Sequence, residues 1–120
     1  EDPDALEEFL MRVNDEWSPA SIVITENGAS FGDGPGADGA VHDQRRIDYL
    51  NTHIVATMNA RNRGAPVDGY FAWSFLDNLE WRAGYSQRFG LVWVDHTTQE
   101  RILKDSAYWY RDRIAEDSSG

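Results

Sequence analysis

Glu26 closes an apolar, β-branched run, Ile22-Val23-Ile24-Thr25, and Asn27-Gly28 follow at once. An ionised carboxylate is costly to bury unless it is paired, hydrogen-bonded or put to chemical use. A strand that ends on one therefore asks for a partner or a substrate. Further on, the stretch "VDGYFAWSFLDNLEW" at 67–81 starts aromatic and apolar and turns polar, placing Trp73 near the end of its apolar half and Glu80-Trp81 in its tail. A carboxylate beside indoles suits sugars: the apolar face of a pyranose stacks on indole and its hydroxyls hydrogen-bond to carboxylates. Glycosidases place two carboxylates about the scissile bond, and retaining enzymes use one of them as nucleophile. Glu26 is the candidate nucleophile, Trp73 the candidate platform, and Glu80 and Trp81 the candidates to grip the sugar in the reacting subsite.

Each of these residues has a plainer reading. Glu26 could accept backbone N–H bonds in the Asn27-Gly28 turn, Glu80 could be a solvated loop charge, and Trp73 and Trp81 could be core. Trp93 and Trp109, in an extended segment and on a helix, are read as packing, as is His53 beside the apolar face of its helix. Asp33, Asp38 and Asp43 lack the alternate-position pattern of a calcium loop. They are read as part of a flexible rim loop, so neither a metal site nor a cofactor is expected.

The elements that must position these residues are legible as periodicity. Leu6, Phe9, Leu10 and Val13 recur at helical spacing over 4–14, with Pro3 or Asp4 opening the helix. A strand follows at 22–26. Residues 27–42 are rich in Gly and Asp and read as a loop rather than a hairpin. A second helix runs from an Asp43 cap to a stop at Gly64 and Pro66, with Ile47, Leu50, Ile54, Val55 and Met58 on its apolar face. The first half of 67–81 is a second buried strand, 85–95 a small hairpin or extended excursion, and 104–116 a closing helix capped by Asp105 or Ser106; the tail 117–120 is expected to fray. Strands without clear alternation, separated by amphipathic helices, indicate a parallel sheet buried on both faces. In such folds ligands collect at the C-terminal ends of the strands. Two strands close no barrel, and an eight-stranded one needs about 250 residues. The expected fold class is therefore α/β, the last two β/α units or so of a (β/α)8 TIM barrel, incomplete on its own, with the whole chain a segment of one catalytic domain.

The chain has 120 residues and a net charge of −10 from 21 acidic and 11 basic side chains. That balance repels nucleic-acid backbones and anionic membranes. It contains no cysteine, which excludes disulfides, thiolate zinc sites and cysteine nucleophiles, and it fits a reducing compartment such as the cytoplasm. The opening "EDPDALEEF" lacks Met and lies within a helix start, so an upstream segment is expected and secretion stays open.

The segments "ITENG" at 24–28, "RIDYLNTHI" at 46–54, "GYFAWSFLDNLEW" at 69–81, "GYSQRFGLVWVD" at 84–95 and "KDSAYWYRDRI" at 104–114 resemble, in order and spacing, the C-terminal part of family 1 β-glucosidases. The resemblance implies a (β/α)8 barrel that hydrolyses small β-glucosides or oligosaccharides with retention. By that likeness Glu26 matches the nucleophile of the T-E-N-G motif and Trp73 the stacking Trp. Glu80 matches the residue that binds the 4- and 6-hydroxyls of the glycone, Trp81 a partner to its 3-hydroxyl, and Phe89 an aromatic near its 6-position. The family's 6-phospho-glycosidases typically carry Ser where this chain has Glu80, and Lys and Tyr at the positions of Gln87 and Phe89. A carboxylate at 80 repels a phosphate, so non-phosphorylated glycosides are favoured, although Gln87 also departs from the Lys often seen in β-glucosidases. The acid/base Glu of the family's N-E-P motif does not occur here. The chain is thus expected to carry the nucleophile half of the site, to be inactive alone, and to self-associate or depend on the missing N-terminal part. The rival reading is a non-catalytic sugar-binding module or degenerate fragment, which an upstream N-E-P segment would exclude.

Overall fold

The computed structural model describes residues 2–117, in two compact units. One unit comprises the chain up to Asn27 together with Tyr49–Ala72; the other comprises Gly28–Asp48 and the chain from Trp73 onward.

The first unit is a βαβ arrangement with an extra helix in front. Helix α1 spans Pro3–Trp17. Its cap is Asp2, one residue before the expected opening, whose carboxylate accepts a bond from the Ala5 amide at 3.1 Å. Pro3 occupies the first turn, where its missing N–H costs nothing. Ser18, in the left-handed conformation, ends the helix and donates its N–H to Asn14 O. Strand β1 (Ile22–Asn27) pairs in parallel with β2 (Val67–Ala72), and helix α2 (Gln44–Asn62) lies between them in the chain. The register is broken by irregularities after Ile22 and after Ile24, and the pairing ends at Asn27 opposite Ala72. Leu10, Ala60, Ala65 and Val67 form the core of this unit, with Leu6, Met11, Ile22 and Ile24 packed around them. Val23 and Phe71, 46% and 60% exposed, leave the opposite sheet face open.

The apolar face expected on α2 is rotated. Arg46, Leu50, His53, Thr57 and Ala60, a run of i, i+4, i+7, i+11 and i+14, are buried, whereas Val55 and Met58 are exposed. Polar residues hold this stripe because each brings a partner: the Thr57 hydroxyl donates to His53 O at 2.8 Å, and His53 Nδ1 lies 2.7 Å from Tyr49 O with its ring stacked on Tyr49. His53 is thus a satisfied packing residue, as read. On α1 the expected stripe survives at Leu6 and Leu10 but not at Phe9, which is 61% exposed.

In the second unit, strand β3 (Val92–Val94) and strand β4 (Arg101–Leu103) form an antiparallel hairpin, and helix α3 (Asp105–Asp117) follows. The hairpin expected over 85–95 lies farther along the chain, because its reversal is set by Asp95. That carboxylate accepts the Thr97 and Thr98 amides at 2.8 and 3.1 Å, which holds its pKa below the usual carboxylate value. Residues 74–77 run beside 89–92, joined by Ser74 N→Phe89 O, Leu91 N→Ser74 O, Val92 N→Phe75 O and Asp77 N→Val92 O. Helix α3 includes Asp117, and the rest of the expected frayed tail lies outside the described residues. No helix among the described residues is long and apolar enough to cross a membrane.

Candidate active site

Glu26 stands at the penultimate position of β1 and is exposed. Its neighbour Asn27 is fixed within the first unit by a 2.7 Å hydrogen bond from the Tyr70 hydroxyl on β2. The strand end that presents Glu26 is therefore tied to the adjacent strand at its last residue.

Trp73, Glu80, Trp81 and Phe89 belong to the second unit. Trp73 follows β2 directly, is 38% exposed, and precedes a cis peptide to Ser74. Phe89 O accepts the Ser74 amide at 3.1 Å, so the backbone carrying Phe89 is joined to the residue after Trp73. Glu80 and Trp81 lie on a tight reversal, Glu80–Gly84, closed by Glu80 N→Gly84 O and Gly84 N→Glu80 O, both at 2.8 Å. Gly84 takes a positive φ of 62° there, a conformation most side chains avoid. The turn leaves Glu80 partly buried and Trp81 96% exposed, so Trp81 is not core in this chain. Trp93 and Trp109 are half-buried, and Trp93 lies under the Arg88 guanidinium at 5.1 Å, in keeping with packing roles.

The glycine of the T-E-N-G segment has a steric reason within the second unit. A Cβ on Gly28 would stand 1.8 Å from the Trp73 carbonyl oxygen. Only glycine lets these backbones meet.

The loop read as flexible is instead fixed at both ends. Asp33 and Asp43 are buried acceptors, not rim charges. Asp33 accepts from Arg46 Nη2 and from Lys104 Nζ, both at 2.6 Å. Asp43 precedes α2 as expected, but its carboxylate does not cap that helix. It accepts Ser106 N at 2.9 Å, Ser106 Oγ at 2.6 Å and Arg46 Nε at 2.9 Å. Asp77, also buried, accepts Arg88 Nη1 at 2.6 Å, Lys104 Nζ at 3.1 Å and the Gly90 amide at 2.9 Å. Three cations meet three carboxylates, so the cluster is neutral in sum. Sequence reasoning missed it. The signal available was Arg46 and Lys104 set beside apolar residues, in "RRID" and "RILKD", where a solvated charge is not needed.

The third aspartate of that loop, Asp38, joins His42 in an exposed clamp. His42 Nε2 lies 2.8 Å from Asp38 and Nδ1 2.7 Å from Asp105. The Asp38 hydrogen bond, and then that of Asp105, raise the His42 pKa from 6.5 to about 9. A pKa raised on folding contributes stability that is full below the unfolded value and is lost as pH rises through the folded one. The clamp should therefore hold at neutral pH and loosen near pH 9. An NMR titration of the His42 ring should give a midpoint near that value, and Asp38→Asn should lower it; a midpoint at the unperturbed value in the unsubstituted protein would show the clamp does not form in solution.

A parallel βαβ unit with a carboxylate at a strand end, followed by indoles and a second carboxylate, is what a barrel glycosidase presents at its reactive rim. Residues 1–119 match Glycosyl hydrolase family 1, and the chain belongs to that family. It is 54% identical over 112 residues to β-glucosidase A of Thermotoga maritima, covering 93% of this chain and 25% of that protein. It is 52% identical over 122 residues to a bifunctional β-D-glucosidase/β-D-fucosidase of Bifidobacterium breve, covering 98% of the chain, and 44% identical over 110 residues to a 6-phospho-β-galactosidase of Clostridium acetobutylicum, covering 91%. The solved family 1 β-glucosidase of Thermotoga maritima superposes with a TM-score of 0.93 at 51% identity, over 94% of this chain and 26% of that one; the same enzyme has been solved with deoxynojirimycin. The chain spans about a quarter of the length of these relatives, as a partial barrel would.

Proposed function

We propose that this chain is the C-terminal portion, about the last two β/α units, of a retaining β-glucosidase that removes terminal non-reducing β-D-glucosyl residues. Glu26 is the nucleophile, and Trp73, Glu80, Trp81 and Phe89 receive the glycone; the acid/base carboxylate belongs to a part of the barrel that this chain does not contain. The observation that carries the reading is the placement of Glu26 at the C-terminal end of a parallel strand in a chain matched to the family over residues 1–119. Barrel chemistry gathers at that end. The likeness to a 6-phospho-β-galactosidase raises a phosphorylated substrate as the second reading. The Glu80 carboxylate argues against it, since it repels a phosphate where a neutral 6-hydroxyl would donate to it.

The open sheet face at Val23 and Phe71, and the exposed Val55 and Met58 of α2, are surfaces that further barrel elements would cover. The chain alone is accordingly expected to be inactive and to associate through its unpaired strand edges. The test uses a 2-deoxy-2-fluoro-β-glucoside with an activated leaving group: the fluorine slows both steps, the leaving group restores the first, and the glycosyl ester accumulates. The complete polypeptide should gain one adduct, on the peptide containing Glu26, while the isolated chain should show no turnover and sediment above its monomer mass. A label on any other residue overturns the nucleophile assignment, and an active monomeric chain overturns the partial-barrel reading.

A further inference from the structure

Arg46 has all five of its N–H donors placed. Nε meets Asp43 and one Nη2 hydrogen Asp33. The other three go to backbone carbonyls: Nη1 to Ala29 O at 2.5 Å and Phe89 O at 3.3 Å, and Nη2 to Arg88 O at 3.0 Å. The two backbone segments so joined are further bonded through Phe31 N→Arg88 O at 3.2 Å and Arg88 N→Ser30 Oγ at 3.0 Å. Phe89 O also takes the Ser74 amide, which follows Trp73, and Gly28 presses on the Trp73 carbonyl. A single side chain, 2% exposed, thus ties together the turn after Gly28, the backbone of Phe89 and, through Phe89 O, the Trp73–Ser74 peptide.

Burial requires that each of the five donors find an acceptor. A buried cation needs acceptors, and Asp33 and Asp43 already supply two carboxylates. The planar fork adds direction: it fixes three carbonyl positions at once, which the compact ammonium of lysine cannot do. We propose that Arg46 is a positioning residue for the sugar site, setting the Phe89 ring through its backbone and so the discrimination at the sugar's 6-position. The proposal rests on the reading of Phe89 as a residue that meets that position.

The test compares aryl β-glucoside with aryl β-xyloside, which lacks the 6-hydroxymethyl group, in the complete polypeptide. Rates are normalised to the sites that react stoichiometrically with the 2-fluoro-glucoside. Phe89→Ala should lower the glucoside-to-xyloside ratio of kcat/KM. Arg46→Lys, which keeps the charge and loses the fork, should lower the same ratio by about tenfold, the low end of what one small group in a pocket discriminates. A role in folding alone would reduce the number of reactive sites and leave the ratio unchanged. Asp43→Asn, which releases one end of the guanidinium, gives the same readout in a milder form should Arg46→Lys yield no reactive sites, and is expected to move the ratio the same way. Ratios within twofold of the original for the Arg46 and Asp43 variants, with Phe89→Ala shifted, overturn the positioning role while leaving the site intact. An unshifted ratio in Phe89→Ala overturns both the role and the reading of Phe89 beneath it.

Discussion

In the complete enzyme, Glu26→Gly should reduce hydrolysis of ordinary β-glucosides by at least about a thousandfold, the loss expected when a covalent nucleophile is removed. Substrate binding should change little, because the platform and glycone residues stay in place. If Glu26 is the nucleophile, the removed side chain leaves room on the face of the sugar opposite the leaving group. Azide supplied at high concentration should occupy that room and attack an activated aryl β-glucoside from the same side. One displacement then inverts the anomeric centre, and the product is an α-glucosyl azide. Retention in a glycosidase is two such displacements in series. A β-azide would mean that another group attacks the sugar and that Glu26 is the acid/base carboxylate; full activity without azide would leave Glu26 only a binding or structural role. Gly at this position is also preferable to Gln, since it leaves no side chain to block the anion.

The same residue shows why part of this molecule could be read from its sequence and part could not. The β-branched run before Glu26 and the aromatic run before Trp73 specify strands through local composition, and both strands form where expected and in parallel. Helix α2 is long enough for its existence to be secure, and Leu50 is buried as expected, but the buried face turns away from Val55 and Met58. Hydrophobicity alone cannot rank Arg46 and His53 above Val55 and Met58 for burial, because what favours them is hydrogen-bond acceptors: Asp33, Ala29 O and Arg88 O, distant in sequence, for Arg46, and Tyr49 O one turn back for His53. Asp33 and Asp43 were misread for the same reason. A glycine- and aspartate-rich stretch has the composition of a mobile loop, and only the three-dimensional arrival of Arg46, Lys104 and Ser106 gives its carboxylates a fixed place. Trp81 illustrates the opposite case. Its motif marks it for function, and its near-complete exposure here leaves its indole open to a ligand or to further parts of the fold. The hairpin at β3 and β4 was displaced along the chain because its reversal depends on one carboxylate, Asp95, capping two amides, a signal weaker than glycine or proline.

The buried cluster should govern stability more sharply than any apolar side chain in the second unit. Asp77→Ala removes the carboxylate partner of Arg88 Nη1, which keeps Val94 O, and the side-chain acceptor of the Gly90 amide, and leaves Lys104, which is fully buried, with Asp33 as its remaining carboxylate. Asp33 is in turn shared with Arg46. Breaking a buried ion pair from one side costs about 3–5 kcal/mol, because the surviving charge stays desolvated without compensation. Gly90 cannot retreat to find water: a Cβ there would already stand 2.2 Å from Asp77 N, so the backbones are in close contact. Urea unfolding of the complete protein, followed at its tryptophans, should show a midpoint lowered by that free energy divided by the slope, with the slope itself unchanged. Charge balance supplies the control. In Asp77→Asn combined with Lys104→Met, an acceptor for Gly90 remains and the unmatched buried cation is gone; Arg46 keeps Asp33 and Asp43, and the partly exposed Arg88 keeps Val94 O. Compared with Asp77→Asn and Lys104→Met made singly, the double variant should cost clearly less than the sum of the two, a coupling that independent sites would not show. A loss of less than about 1 kcal/mol in Asp77→Ala would place these charges in the screened, exposed class instead. It would also weaken the case that the loop after Gly28 is held by charge, since the Lys104 bridge that joins Asp33 to Asp77 is part of the same cluster as Arg46.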